Sequence, residues 1–182
     1  MTVVQLQDGG KAAILQCQRC KTGPDITETA YLFQLISGKI PVGETCRISF
    51  YVRGIVPFDG GSQQSFEILL VGNGWVASKK VTAFTSEWTQ HITNTFVVGY
   101  SSEALHFYFD AAAVDNTRWC PIFVDTVEVI DSGNNVVAAI NDSSFESGSL
   151  YYWGNYSSDN IKYAVTNDCS YSGNYCCKVF RV

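Results

Sequence analysis

Gly43-Glu44-Thr45-Cys46-Arg47-Ile48-Ser49-Phe50-Tyr51-Val52-Arg53 is the stretch that decides the fold class. Cys46, Ile48, Phe50 and Val52 alternate with Arg47, Ser49, Tyr51 and Arg53, and a period of two sends the first set to one side of an extended chain and the second to the other. The pattern recurs in both directions. Lys11 to Cys17 and Ala30 to Ile36 come before it; Ser65 to Val71, after the Gly60-Gly61 turn, then Trp88 to Val98, Ala104 to Asp110 and Ile122 to Ile130 come after. Gly, Ser, Asn and Asp bound these runs, which is strand punctuation. No window keeps a 3.6-residue period for three turns, and Ala111 to Ala113 is too short to nucleate a helix. The expected class is all-β. Short antiparallel strands with one apolar and one polar face pack as a jelly-roll β-sandwich of two antiparallel sheets, which leaves one face of each sheet for a ligand.

Charge and composition narrow the partners. The 182 residues carry 12 Lys or Arg against 17 Asp or Glu, a formal charge of -5, and the basic residues are scattered singly apart from Lys79-Lys80. A phosphate backbone wants a basic face, so no nucleic acid is expected. At 46% apolar the chain can bury a core, but no apolar run approaches the roughly 20 residues needed to cross a bilayer, so no membrane insertion is expected.

Seven cysteines (Cys17, Cys20, Cys46, Cys120, Cys169, Cys176 and Cys177) suit a compartment where disulfides persist, so the expected location is secreted and extracellular. No basic-then-apolar leader opens the sequence, which fits a mature chain or an added Met1. Asn141-Asp142-Ser143 and Asn155-Tyr156-Ser157 are glycosylation sequons. The odd count leaves one thiol unpaired or linked to another chain. Cys17 and Cys20 have C-x-x-C spacing, but no second pair repeats it, so structural disulfides fit better than zinc. A redox pair there would want a βαβ setting, and the surroundings read as strand and loop.

Several short motifs resemble one family. Phe145-Glu146-Ser147-Gly148 followed by Trp153, and Ser172-Gly173-Asn174-Tyr175 running into a strand, resemble the opening of carbohydrate-binding modules of the xylan- and glucan-binding jelly-roll type, a galactose-binding-domain-like β-sandwich. Gln34 to Ile36 with Gly43 to Val52 is similar to that family's turn-and-strand pair, with Cys46 where an aromatic is usual. Glu87-Trp88-Thr89 with Thr95-Phe96, and Phe123-Val124-Asp125-Thr126-Val127, resemble its last strands. The order differs from the family's: its opening motif here follows its closing strand. Residues 1–136 then read as a sandwich module lacking its opening strands, and 137–182 as those strands displaced. They would complete the same sandwich, complete a neighbouring chain by strand exchange, or belong to a tandem array cut across its module boundaries.

The resemblance implies a non-catalytic module that binds a polysaccharide. It also implies a structural calcium between Glu146 and Asp125, two carboxylates that could supply the charged part of an oxygen shell; on that expectation chelation lowers the melting temperature. Sugar binding needs exposed aromatic faces and planar polar groups. The outward strand residues Tyr51, Arg53, His106, Tyr108 and Asp110 offer these, with Trp75 and Trp119 in nearby loops, while Trp88 and Trp153 are expected in the core. No G-x-S-x-G, H-E-x-x-H or phosphate loop is present, and two histidines leave few general bases. The alternative is a structural subunit of an extracellular filament or coat, joined to copies of itself through the C-terminal strands.

Overall fold

The computed structural model describes residues 2–5, 11–14, 27–36, 39–54, 63–72, 74–99, 104–112, 122–137, 140–156 and 161–181. These form fourteen strands and no helix. They are β1 (Thr2–Gln5), β2 (Lys11–Ile14), β3 (Thr27–Leu35), β4 (Thr45–Gly54), β5 (Gln63–Gly72), β6 (Gly74–Val81), β7 (Thr89–Ile92), β8 (Phe96–Val97), β9 (Ala104–Ala112), β10 (Ile122–Asp131), β11 (Val136–Val137), β12 (Gly154–Tyr156), β13 (Ile161–Thr166) and β14 (Cys176–Arg181). One sheet has the order β13-β14-β10-β4-β7, with β11 beside β10 and β8 beside β4; a second has the order β12-β3-β9-β5-β6. Among the described residues β1 and β2 pair only with each other. Every pairing is antiparallel.

The alternation in β4 does what its sequence pattern requires. Cys46, Ile48, Phe50 and Val52 are buried, and Arg47, Tyr51 and Arg53 are half-buried on the opposite face. Leu32, Phe66, Ile68 and Leu70 of the five-stranded sheet join Ile48, Phe50, Val124, Val129 and Val179 of the other in one core, giving a sandwich-like all-β fold. A residue of this kind gains roughly 1.5–3 kcal/mol from full burial, so the facing pairs are the main source of stability.

Strands of the C-terminal segment lie in both sheets. β12 pairs with β3, Gly154 opposite Phe33, and β14 pairs with β10, Lys178 opposite Phe123. A β-carbon on Gly154 would collide with the Phe33 ring, so a glycine is needed for that approach. Buried Gln34 fastens the segment to β3: its Nε2 donates to the carbonyls of Asn141 (3.0 Å) and Tyr152 (3.2 Å), and its Oε1 accepts from Asn141 N (2.7 Å). Phe145 sits in the core with its ring 5.3 Å from that of Trp153.

Three local readings change. The stretch from Trp88 to Val98 is two strands, because buried Thr93 interrupts them: its Oγ1 accepts from Ile48 N (3.0 Å), and its own N donates to Ile48 O (3.0 Å). Ala111 and Ala112 extend β9. Trp75, expected in a loop, belongs to β6, since the chain reverses tightly enough for Gly72 to pair with Gly74.

Candidate functional site

The outward face of the seven-stranded sheet carries a cluster of rings and cations. Its centre follows from register: Arg53 of β4 lies opposite Phe123 of β10, which lies opposite Lys178 of β14, while Tyr51 lies opposite both Asp125 and Gln90. The Arg53 guanidinium is 5.9 Å from the ring centres of both Trp88 and Phe123, and Lys178 Nζ is 5.8 Å from Phe123. At these distances a ring quadrupole attracts a cation by about 0.5–1 kcal/mol at exposed sites. Lys178 also pairs with Asp168 at 3.0 Å. Gln90 Nε2 donates to Ser49 Oγ at 2.9 Å beside this cluster.

A loop completes the surface. Tyr171 lays its ring on Tyr51, centres 3.5 Å apart and planes 15° from parallel, and presents an edge to Trp88 at 6.2 Å. Tyr171 is 45% exposed, so its outer face is open. The hydrogen bond with Tyr171, then burial, raise the Tyr51 hydroxyl above its usual range; it stays neutral at physiological pH.

Two carboxylates position that loop. Thr126 stands at φ 49°, a conformation a β-branched residue adopts only under constraint, where the β10–β4 register shifts. Beside it, fully buried Asp125 accepts from Thr126 N (2.6 Å) and Oγ1 (3.2 Å) through Oδ1, and from Tyr171 N (2.7 Å) and Ser172 N (3.1 Å) through Oδ2. Thr126 Oγ1 also lies 2.7 Å from Ser172 Oγ. Burial pushes the Asp125 carboxyl up, and the N–H donors of Ser172, Tyr171 and Thr126 pull it back. Glu146, projecting from a turn whose Phe145 is anchored in the core, accepts from Asn174 N (3.0 Å) and Tyr175 N (2.9 Å), which hold it below the usual carboxylate range. Gly173, just before Asn174, has φ 66°, and a β-carbon there would collide with the Glu146 carboxylate.

This arrangement bears on calcium. Both carboxylates already point at N–H donors, whose positive ends repel a cation, and no cluster of three or more His, Cys, Asp or Glu able to hold a metal forms among the described residues. As arranged, Glu146 and Asp125 hold a loop of amides.

The residues expected to share one sugar-binding surface are divided. Tyr51 and Arg53 come together on β4, whereas His106, Tyr108 and Asp110 lie on β9 in the other sheet, opposite Phe33 and Leu69, Tyr31 and Glu67, and Thr29 and Ser65 respectively. Adjacency inferred from similar alternation fails because alternation does not say which sheet a strand joins. Trp75 pairs with Val71 in the five-stranded sheet, and Trp119 lies outside the described residues. Trp153 is in the core as expected, but Trp88 is half-buried in the outward cluster. Sequence reading missed Tyr171, Phe123 and Lys178. The parity of Phe123 against Asp125 could have flagged one of them; nothing local marks Tyr171, which arrives by a loop.

Cys46 and Cys177 face the core, and Cys169 and Cys176 flank the Tyr171 loop as thiols; Cys17, Cys20 and Cys120 lie outside the described residues. No protein-family model, curated protein or solved structure matches the chain.

Proposed function

We propose that the chain is a non-catalytic extracellular carbohydrate-binding module with a jelly-roll β-sandwich, holding a polysaccharide on the outward face of the seven-stranded sheet. The observation that carries this reading is the Tyr51–Tyr171–Trp88 cluster with Arg53 against it: an exposed, preorganised ring face beside a planar donor. The apolar side of a pyranose lies on such a ring, and the guanidinium donates to its hydroxyls. The rings are already stacked in the protein, so little ordering opposes binding.

The test is retention of the chain on insoluble polysaccharides, with Tyr171→Ala, Arg53→Ala and Trp75→Ala compared at unchanged melting temperature. Loss of the Tyr171 face should weaken binding roughly tenfold, the equivalent of about 1.4 kcal/mol. Weakening by Trp75→Ala alone would move the site to the five-stranded sheet. No retention on any polysaccharide would sink the proposal.

The second reading is a structural subunit of an extracellular filament or coat. It is favoured by the way β12 and β14 add to strands of the two different sheets, since the same registers formed with a copy of the chain would link subunits. A strictly monomeric mass under non-denaturing conditions would remove it.

A further inference from the structure

Cys169 and Cys176 bracket six residues, Ser170 to Tyr175, and a bond between them would close an eight-residue loop. Their sulfurs are 3.8 Å apart, and the Cys176 thiol donates to the Cys169 carbonyl. A disulfide needs about 2.05 Å between sulfurs, so the two stand at van der Waals contact, short of a bond. The loop is already folded for it. Ser170 Oγ donates to Gly173 O (3.0 Å), Asp168 N donates to Thr166 Oγ1 (3.2 Å), and Thr166 is the register partner of Cys176. Neighbouring Cys177 does not compete on the same side. It lies opposite Val124 and Val165 and packs in the core with Tyr163, because adjacent strand residues face opposite ways.

We propose that Cys169 and Cys176 are a disulfide site that locks the Tyr171 loop onto the sheet. Cys169 is partly exposed and Cys176 fully buried. Burial, reinforced by Cys169, pushes the Cys176 thiol up, so Cys169 is the sulfur that meets an oxidant first. With a low-molecular-weight disulfide as oxidant, the Cys169 thiolate attacks one of its sulfurs, the S–S bond breaks and one small thiolate leaves with a proton. Deprotonated Cys176 then attacks Cys169 Sγ and expels the second small thiol. Two protein thiols are oxidised, and one small disulfide is reduced to two thiols. The product fixes the segment that carries the exposed ring and the N–H groups held by Asp125 and Glu146.

The full chain is incubated with glutathione disulfide under non-denaturing conditions, alkylated in acid and digested with chymotrypsin. Cleavage after Tyr171 and Tyr175 leaves the Cys169 fragment joined to the Cys176 fragment only through the bridge, and tandem fragmentation separates Cys176 from Cys177. Closing a loop of this length should raise the melting temperature of the oxidised protein by roughly 6 °C over the reduced protein. Cys169→Ser, at a partly exposed position, should melt like the reduced protein and lose the rise. Cys169 bridged to any other cysteine, left as a glutathione adduct or recovered as an alkylated thiol would overturn the proposal, as would a melt indifferent to oxidation.

Discussion

Replacing Asp125 tests whether the N–H cage holds the Tyr171 loop. In Asp125→Ala three backbone N–H groups, those of Thr126, Tyr171 and Ser172, lose their acceptor. Each unsatisfied donor costs about 1–3 kcal/mol when buried. The low end applies because Tyr171 is solvent-exposed and water can reach the loop, so the expected loss is about 3 kcal/mol. Asp125→Asn is the sharper substitution. An amide has one acceptor oxygen, so whichever way it turns, its NH₂ faces either Thr126 or the Tyr171 and Ser172 amides. Loss of the buried charge relieves part of that penalty, leaving about 2 kcal/mol. With an unfolding entropy of about 2.1 cal/mol/K per residue, these losses lower the melting temperature by roughly 8 °C and 5 °C. Thermal melts by circular dichroism measure them, and chymotryptic cleavage after Tyr171 should accelerate in both variants. An Asn variant melting within about 1 °C of the parent and cleaved at the same rate would refute the cage, since donor satisfaction would then contribute nothing measurable.

Three further outcomes follow from the same loop. Gly173→Ala forces a left-handed φ on a residue with a β-carbon and pushes that carbon into Glu146; it should cost about 2 kcal/mol or more in chemical denaturation, whereas Gly99→Ala, whose added carbon meets nothing, should stay within about 0.5 kcal/mol. Glu146 has a lowered carboxyl, so its contribution is present above its unfolded pKa and lost as pH falls through its lower folded value; Asp125 works in the opposite sense, favouring the fold below its unfolded pKa and losing that contribution as pH rises through its raised folded one. The melting difference between the parent and Glu146→Gln should therefore be largest near neutrality and shrink below about pH 4; a pH-independent difference would show that the charge is not involved. Addition of a calcium chelator at neutral pH is expected to leave the melting temperature unchanged, and a fall would show that calcium displaces the amides from Asp125 and Glu146.

How far the site could be read in advance depended on the kind of signal each residue leaves. Tyr51 and Arg53 were legible because a two-residue period fixes which side of a strand they occupy, and β4 obeys it except at buried Ser49. Trp88 was misassigned to the core because hydrophobic bulk does not distinguish a core ring from one under a guanidinium. The motif Phe145-Glu146 pointed to the right neighbourhood. Phe145 is buried, and Glu146 accepts from the backbone amides of Asn174 and Tyr175. Trp75 was read as a loop residue because Gly74 and polar residues flank it, yet β6 begins at Gly74 and sets Trp75 opposite Val71.

That the chain is built from strands with one buried face could be read from residue order, since alternation is a local property that survives whatever the strands pair with. Long-range packing settles which strands share a sheet, because pairing depends on contacts between residues far apart in the chain. It therefore separated Tyr51 and Arg53 from His106, Tyr108 and Asp110, and set residues 154–156 and 176–181 against β3 and β10. It also brought Tyr171 onto Tyr51. That contact spans 120 positions of chain and is secured by Asp125 through backbone amides, which carry no mark in the sequence.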